Sequence, residues 1–172
     1  PSNFIALDLK NQIKHIDLDI TKTLELEKVI EKNQPDFIFH LAAQPFVRKA
    51  IQEPSETWNA NLFGTISLLE SIKKLKKSCV IVFVTSDKVY KNQEWAWGYR
   101  ETDILGGFDP YSASKAAAEL SISSYVKTYF NQDHNLKIGI GRAGNVIGGG
   151  DWGIDRIVPD CVKSWAHNKR VS

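Results

Sequence analysis

Methionine is absent from all 172 residues, including position 1. Because translation starts on Met, a piece of a longer protein is the expectation. Cysteine is scarce, with only Cys79 and Cys161 present. Two distant cysteines cannot build the disulfide framework of a small secreted domain. Cys79 opens the apolar run Cys79–Val84 and is expected as a buried free thiol. No Asn-x-Ser/Thr acceptor occurs, and no apolar run approaches the roughly 20 residues of a membrane span. The first residues, Pro1-Ser-Asn-Phe4, lack the basic and apolar regions of a signal peptide. A surplus of one charge is missing too. Lys and Arg number 22 against 20 Asp and Glu, a net +2, which gives no reason for a nucleic-acid or membrane partner. The dense run Lys73, Lys74, Lys76, Lys77 ends an apolar-periodic segment, where cations suit the negative end of a helix. Cytoplasmic location is the expectation, and no metal site is expected.

What is present points to one α/β domain. The length and the 42% apolar content suffice for a real core. Three short runs, 36–43, 80–86 and 137–142, are nearly continuously apolar. Strands buried on both faces read this way. Helical patterns separate them. The segment 21–33 carries Leu24, Leu26, Val29 and Ile30 and stops before Pro35. The segment 55–76 carries Trp58, Leu62, Ile66, Leu69 and Ile72 at helical spacing. The segment 110–130 starts at Asp109-Pro110, a capping side chain followed by a first-turn proline. Strands alternating with helices predict a doubly wound parallel sheet with helices on both faces. Residues 87–109 form a long polar connection after the second strand, and Gly148-Gly-Gly-Asp-Trp-Gly153 follows the third. Loops at strand C-termini are where such sheets keep their sites.

The chemistry centres on Tyr111 and Lys115. Their spacing puts both on one helical face, one turn apart. A neighbouring ammonium favours the phenolate, so Tyr111 can take a hydroxyl proton. An exposed helix pair would share that spacing. Ser86, at the end of the second predicted strand, can hydrogen-bond the same hydroxyl; a plain turn serine reads alike. Asp87 and Lys88 follow it as two further proton-transfer candidates, or as a surface ion pair of little energetic worth.

His40-Leu-Ala-Ala43, Asn61-Leu-Phe-Gly-Thr65, Thr85-Ser-Asp-Lys88, Tyr111-x-x-x-Lys115 and Arg142-Ala-Gly-Asn145 resemble, in order and spacing, the extended short-chain dehydrogenase/reductases. Within them the chain resembles the CDP-glucose 4,6-dehydratase family. Trp95-Ala-Trp-Gly-Tyr-Arg-Glu101, Gly106-Gly-Phe-Asp-Pro-Tyr111, the stretch Gly144–Trp152 and Asp155-Arg-Ile-Val-Pro159 carry that resemblance. It implies an NAD-binding Rossmann-type fold, truncated at both ends, and a lyase of lipopolysaccharide O-antigen biosynthesis. The reaction it implies converts CDP-D-glucose to CDP-4-keto-6-deoxy-D-glucose by C4 oxidation, loss of water across C5 and C6, and hydride return. By the same resemblance Tyr111 takes the C4 hydroxyl proton, Lys115 holds the nicotinamide ribose, and Ser86 stands beside them. Asp87 protonates the departing C6 hydroxyl. Lys88 stands where dTDP-glucose relatives carry a glutamate that removes the C5 proton. Asp17 and Leu18 lie against the adenine, and Leu41, Ala42 and Ala43 along the cofactor. Asn145 and Arg156 face the substrate diphosphate.

The family's Gly-rich phosphate turn and its ribose-reading acid have no counterpart in these residues. Gly148–Gly150 follows the third predicted strand and opens no clear helix, so it does not replace the turn. The expected domain is therefore a partial dinucleotide-binding fold over 1–172, with about 145–172 leading into a substrate domain. By itself this stretch is expected to bind NAD poorly and to be inactive. A homodimer through helices near 55–76 and 110–131 is implied. A sugar-nucleotide epimerase of the same superfamily and a non-catalytic remnant are the competing readings; Asp87-Lys88 argues against the former, which needs no C6 acid or C5 base.

Overall fold

A computed structural model describes residues 2–131 and 135–171. Pro1 and Ser172, the ends of the sequence read above, lie outside the described residues. In chain order the elements are helix α1 (Asn3–Ala6), α2 (Thr23–Asn33), strand β1 (Phe37–His40), α3 (Val47–Gln52), α4 (Pro54–Trp58), α5 (Gly64–Ile72), β2 (Cys79–Val84), α6 (Pro110–Tyr125), β3 (Leu136–Gly141) and α7 (Ile157–Ala166). A π-helical turn, Asn59–Phe63, joins α4 to α5, and another, Val126–Phe130, extends α6. The chain divides into two bodies, Leu18–Gly144 and the described residues on either side of it.

The larger body is built on a three-stranded sheet in the order β1-β2-β3. Both pairings are parallel, with Ile38 opposite Ile81 and Ile81 opposite Ile138. Parallel neighbours need a crossover; the run α3–α5 supplies the first and α6 the second. The helices begin and end where local chemistry predicts. Gln34 adopts the left-handed conformation at the end of α2, just before Pro35. Asp109 caps α6 with Pro110 in its first turn.

The alternation of side chains across the strands decides where the core sits. Cys79, Ile81 and Phe83 of β2 face Leu68, Leu69 and Ile72 of α5, Ile122 of α6 and Phe130 just beyond it, with Ile30 of α2 and Leu136 closing the cluster. Ile81 and Ile72 are 0% exposed. Cys79 is a buried free thiol, as its apolar setting implies.

The opposite face differs from expectation. Its residues Phe37 and Phe39 are each 64% exposed, and Val80 is 38% exposed. The strand runs read as continuously apolar because both faces are apolar, but among the described residues helices cover one of them.

The second body carries α1, α7 and the loop between β3 and α7. Gly150 has φ of +76°, and a Cβ there would lie 2.3 Å from Asn3 Oδ1, so glycine is required on two grounds. No helix among the described residues is long and apolar enough to cross a membrane.

Candidate active site

Ser86, Asp87 and Lys88 leave the C-terminal end of β2. The parallel ladder runs on past the strand: Thr85 N–H donates to the Gly141 carbonyl and Asp87 N–H to the Ala143 carbonyl, both at 2.9 Å. Ser86 caps a single tight turn, Asp87–Val89. Its Oγ accepts from the Lys88 N–H at 3.2 Å and donates to Asp87 Oδ1 at 3.1 Å. Ser86 is buried, while Asp87 and Lys88 are exposed. The carboxyl and ammonium groups therefore stand on a strand end that the backbone fixes.

Helix α6, which carries Tyr111 and Lys115, packs against the Asp87–Val89 turn. Asp109 Oδ1 accepts the N–H of Tyr111 at 2.9 Å and of Ser112 at 3.1 Å. Gly107 passes so close that a Cβ would meet Ser112 Cβ at 2.3 Å and the Ala113 nitrogen at 2.6 Å. Tyr111 and Lys115 are both buried. Lys115 Nζ donates to the Val84 carbonyl at 3.4 Å, joining the helix to the strand end that carries Ser86. Burial pulls the Lys115 pKa below the ordinary lysine value.

The end of β1 closes the third side. His40 Nε2 lies 3.2 Å from Thr65 Oγ1, whose own proton goes to the Asn61 carbonyl at 2.7 Å. The Thr65 oxygen must then be the acceptor, which puts the imidazole proton on Nε2. Burial, and secondarily the charge of Lys115, lowers the His40 pKa to about 4. The amide of Asn61, in the π-helical turn, accepts the Gln44 N–H at 2.8 Å and donates to the Gln44 carbonyl at 3.2 Å and to Ser114 Oγ at 2.9 Å. One side chain thus ties the segment after β1, the α4–α5 junction and α6. Ala42 and Ala43 line, with Leu18, Gln44 and Lys49, a cleft of about 410 Å³. Leu41 beside them is exposed.

Ser86, Asp87, Lys88, Tyr111, Lys115, Leu18, Leu41, Ala42 and Ala43 all belong to the larger body. Asp17, Asn145 and Arg156 belong to the second body. Within it Asn145 and Arg156 line a cavity of about 690 Å³ with Trp152 and Gly148–Gly150. Among the described residues no group of three or more His, Cys, Asp and Glu side chains converges to hold a metal ion.

Sequence reasoning assigned no role to His40, Asn61, Ser114, Thr85, Glu119 or Arg142. His40, Asn61, Thr85 and Arg142 sat in quoted motifs. Glu119 had a weaker signal: it is a charge one turn beyond Lys115 on the buried face of a helix rich in Ala and Ser.

The sequence profile of the family described as GDP-mannose 4,6 dehydratase matches residues 4–145. The chain belongs to this family. It is 43% identical over 175 aligned residues to the CDP-glucose 4,6-dehydratase of Salmonella typhimurium, covering 99% of this chain and 49% of that protein. It is 32% identical to the dTDP-D-glucose 4,6-dehydratase of Dictyostelium discoideum, covering 86% of this chain and 35% of the relative. Among solved structures it superposes with a TM-score of 0.82 and 25% identity on the DesIV double mutant, a dTDP-glucose 4,6-dehydratase of Streptomyces venezuelae with NAD and DAU bound. That match covers 96% of this chain and 48% of the other. The chain therefore spans about half the length, or less, of these relatives. The superposition establishes the Rossmann-type sheet that the resemblance implied.

Proposed function

We propose that the protein to which this chain belongs is an NAD-dependent lyase that converts CDP-D-glucose to CDP-4-keto-6-deoxy-D-glucose. One observation carries the reading. The turn Asp87–Val89, which follows Ser86 at the end of β2, packs against α6, the helix that carries Tyr111 and Lys115, and Lys115 Nζ lies 3.4 Å from the Val84 carbonyl. Dehydration across C5 and C6 needs an acid and a base beyond the group that deprotonates the C4 hydroxyl, and this arrangement supplies three proton-transfer groups at one strand end.

The larger body fits a dinucleotide along the end of β1. Ala42 and Ala43 are small, and the cleft they line is roomy. NAD would be held by Asp17, Leu18, Leu41, Ala42, Ala43, Tyr111 and Lys115, the Asp17 assignment resting on the resemblance alone. When bound, NAD would supply a hydride acceptor for C4 and a hydride donor for C6. Tyr111 takes the C4 hydroxyl proton, and Lys115 beside it stabilises the phenolate. Ser86 hydrogen-bonds the same hydroxyl and orients it. The C4 ketone acidifies the C5 hydrogen, which Lys88 removes as a proton and gives back to C5 when hydride reaches C6. Asp87 gives its proton to the C6 hydroxyl, which leaves as water. Asn145 and Arg156 are proposed diphosphate contacts, again from the resemblance.

The same reading extends to assembly and location. Phe63, Leu120 and Tyr129 are 52%, 61% and 56% exposed along the helical runs Pro54–Ile72 and Pro110–Phe130. Apolar side chains on those outward surfaces support a homodimer through them, which light scattering of the intact protein checks. The near-balanced charge supports an enzyme without nucleic-acid or membrane partners, and a cytoplasmic location is part of the same proposal. The decisive assay incubates the intact protein with NAD and CDP-glucose. The expected product is the 4-keto-6-deoxy sugar nucleotide; a C4 epimer, or dTDP-glucose as the preferred substrate, would overturn the assignment.

A further inference from the structure

Glu119 and Arg142 form a bidentate ion pair under the candidate site. Arg142 Nε lies 3.0 Å from both carboxylate oxygens, and Nη2 lies 2.6 Å from Oε2. Glu119 is 1% exposed. Withdrawing such a pair from water costs more than an apolar pair of the same volume, so stability alone is a poor reason for it. What it holds is a better one. Thr85 Oγ1 donates to Glu119 Oε1 at 2.5 Å, immediately before Ser86. Arg142 Nη1 donates to the Glu101 carbonyl at 3.2 Å, and the guanidinium lies 4.6 Å from the centre of the Tyr90 ring.

Tyr90 and Glu101 belong to the long connection after β2. Its base is closed by Lys91 N–H to the Ile104 carbonyl and Gly106 N–H to the Val89 carbonyl, both at 2.8 Å. Arg142 is also flanked by Gly141 and Ala143, whose carbonyls take the N–H groups of Thr85 and Asp87 at 2.9 Å. The side chain of Arg142 and the carbonyls on either side of it therefore grip one segment from two directions.

We propose that Glu119 and Arg142 are a positioning pair that sets Asp87 and the 90–105 connection in place. What Asp87 does there rests on the dehydration reading; where it is held does not. Tyr111 is anchored separately, by the Asp109 cap. Loosening the pair should therefore misplace the C6 acid, while the tyrosine that begins C4 oxidation keeps its own anchor.

The test uses the intact protein and Arg142→Lys, which keeps the charge and loses the planar fork. Amide hydrogen exchange at Asp87 and Lys91 should rise about tenfold or more, the scale of one lost charge-assisted hydrogen bond, while the Tyr111 and Ser112 amides stay at wild-type rates. In turnover with CDP-glucose, kcat should fall about 100-fold at unchanged KM. Reduced nicotinamide should accumulate, because oxidation outruns elimination. Wild-type exchange at Asp87 and Lys91, or an equal rise at Tyr111 and Ser112, overturns the proposal. If Arg142→Lys does not fold, Glu119→Gln with Arg142→Met removes both charges together and is read by the same amides. A wild-type protein that turns over no nucleotide sugar sinks the dehydration reading, and the exchange pattern still decides the positioning.

Discussion

Lys115 Nζ and the Val84 carbonyl stand 3.4 Å apart, so the buried ammonium of α6 is held at the end of the strand that delivers Ser86 and Asp87. Burial lowers the Lys115 pKa, so the folded state holds that proton less tightly than the unfolded chain does. The group therefore costs stability at neutral pH, where it is charged. Lys115→Met has a similar length and no charge to bury. It should raise the urea midpoint at pH 7 and lower kcat by about 100-fold or more, the scale of one proton-transfer group. A variant with wild-type kcat would remove Lys115 from the site; a lowered midpoint would show that the Val84 contact outweighs the burial cost.

His40 should make the protein acid-sensitive. Its pKa falls from 6.5 in the unfolded chain to about 4 in the folded one. Stability from this group is whole above pH 6.5 and is lost as pH falls towards 4, because only the unfolded state takes up the proton in that window. The full loss is roughly 3 kcal/mol. Urea unfolding of wild type and His40→Gln between pH 7.5 and 4 isolates it. The two curves should converge as pH falls. Parallel curves would mean that carboxylates alone set the acid response.

Positioning of Tyr111 depends on two residues before it. Asp109→Ala leaves the Tyr111 and Ser112 N–H groups without their acceptor and should cost about 1 kcal/mol. Gly107→Ala drives a methyl against the α6 backbone and should cost about 1–3 kcal/mol. Both should lower kcat more than substrate affinity, since they shift the first turn that carries Tyr111. Denaturant midpoints and steady-state kinetics on the same samples check this. Loss of stability with unchanged kcat would confine both residues to folding.

The strands were legible because their apolar runs are short, bounded and β-branched, and α6 because Asp109-Pro110 marks its start. Their bounds moved by a few residues: the run 36–43 yields only Phe37–His40 as strand, since the chain leaves the sheet at Leu41, and Ala42 and Ala43 line the cleft. The residues 55–76 read as one helix, yet a π-helical turn interrupts it at Asn61. Periodicity does not register that turn, because it comes from the amide of Asn61 bonding Gln44 and Ser114. Tyr111, Lys115, Ser86 and Asp87 were readable as chemistry because their residue types and spacing are informative. Glu119 was not, because its partner is 23 residues away and only the parallel pairing of β2 with β3 brings Arg142 to it. One open sheet face could not be foreseen either, since an apolar run does not say which neighbours cover it.

Lys88 is the residue on which the proposed elimination turns. It is exposed at the tight turn after Ser86, with its backbone N–H on Ser86 Oγ at 3.2 Å. Removing the C5 proton requires a neutral amine. Closure of substrate over the turn would strip water from Lys88 and favour that form. A Lys88 that stays charged would act differently, by stabilising the enolate as a fixed donor. Lys88→Gln separates the two roles, because glutamine keeps the length and a donor but cannot take a proton. The expected variant still oxidises C4, so reduced nicotinamide appears transiently in absorbance. It should not exchange the C5 hydrogen with deuterated solvent and should make no 4-keto-6-deoxy product. Exchange at the wild-type rate would take the base role from Lys88 and leave it the electrostatic one, with the C5 proton going to another group at the strand end.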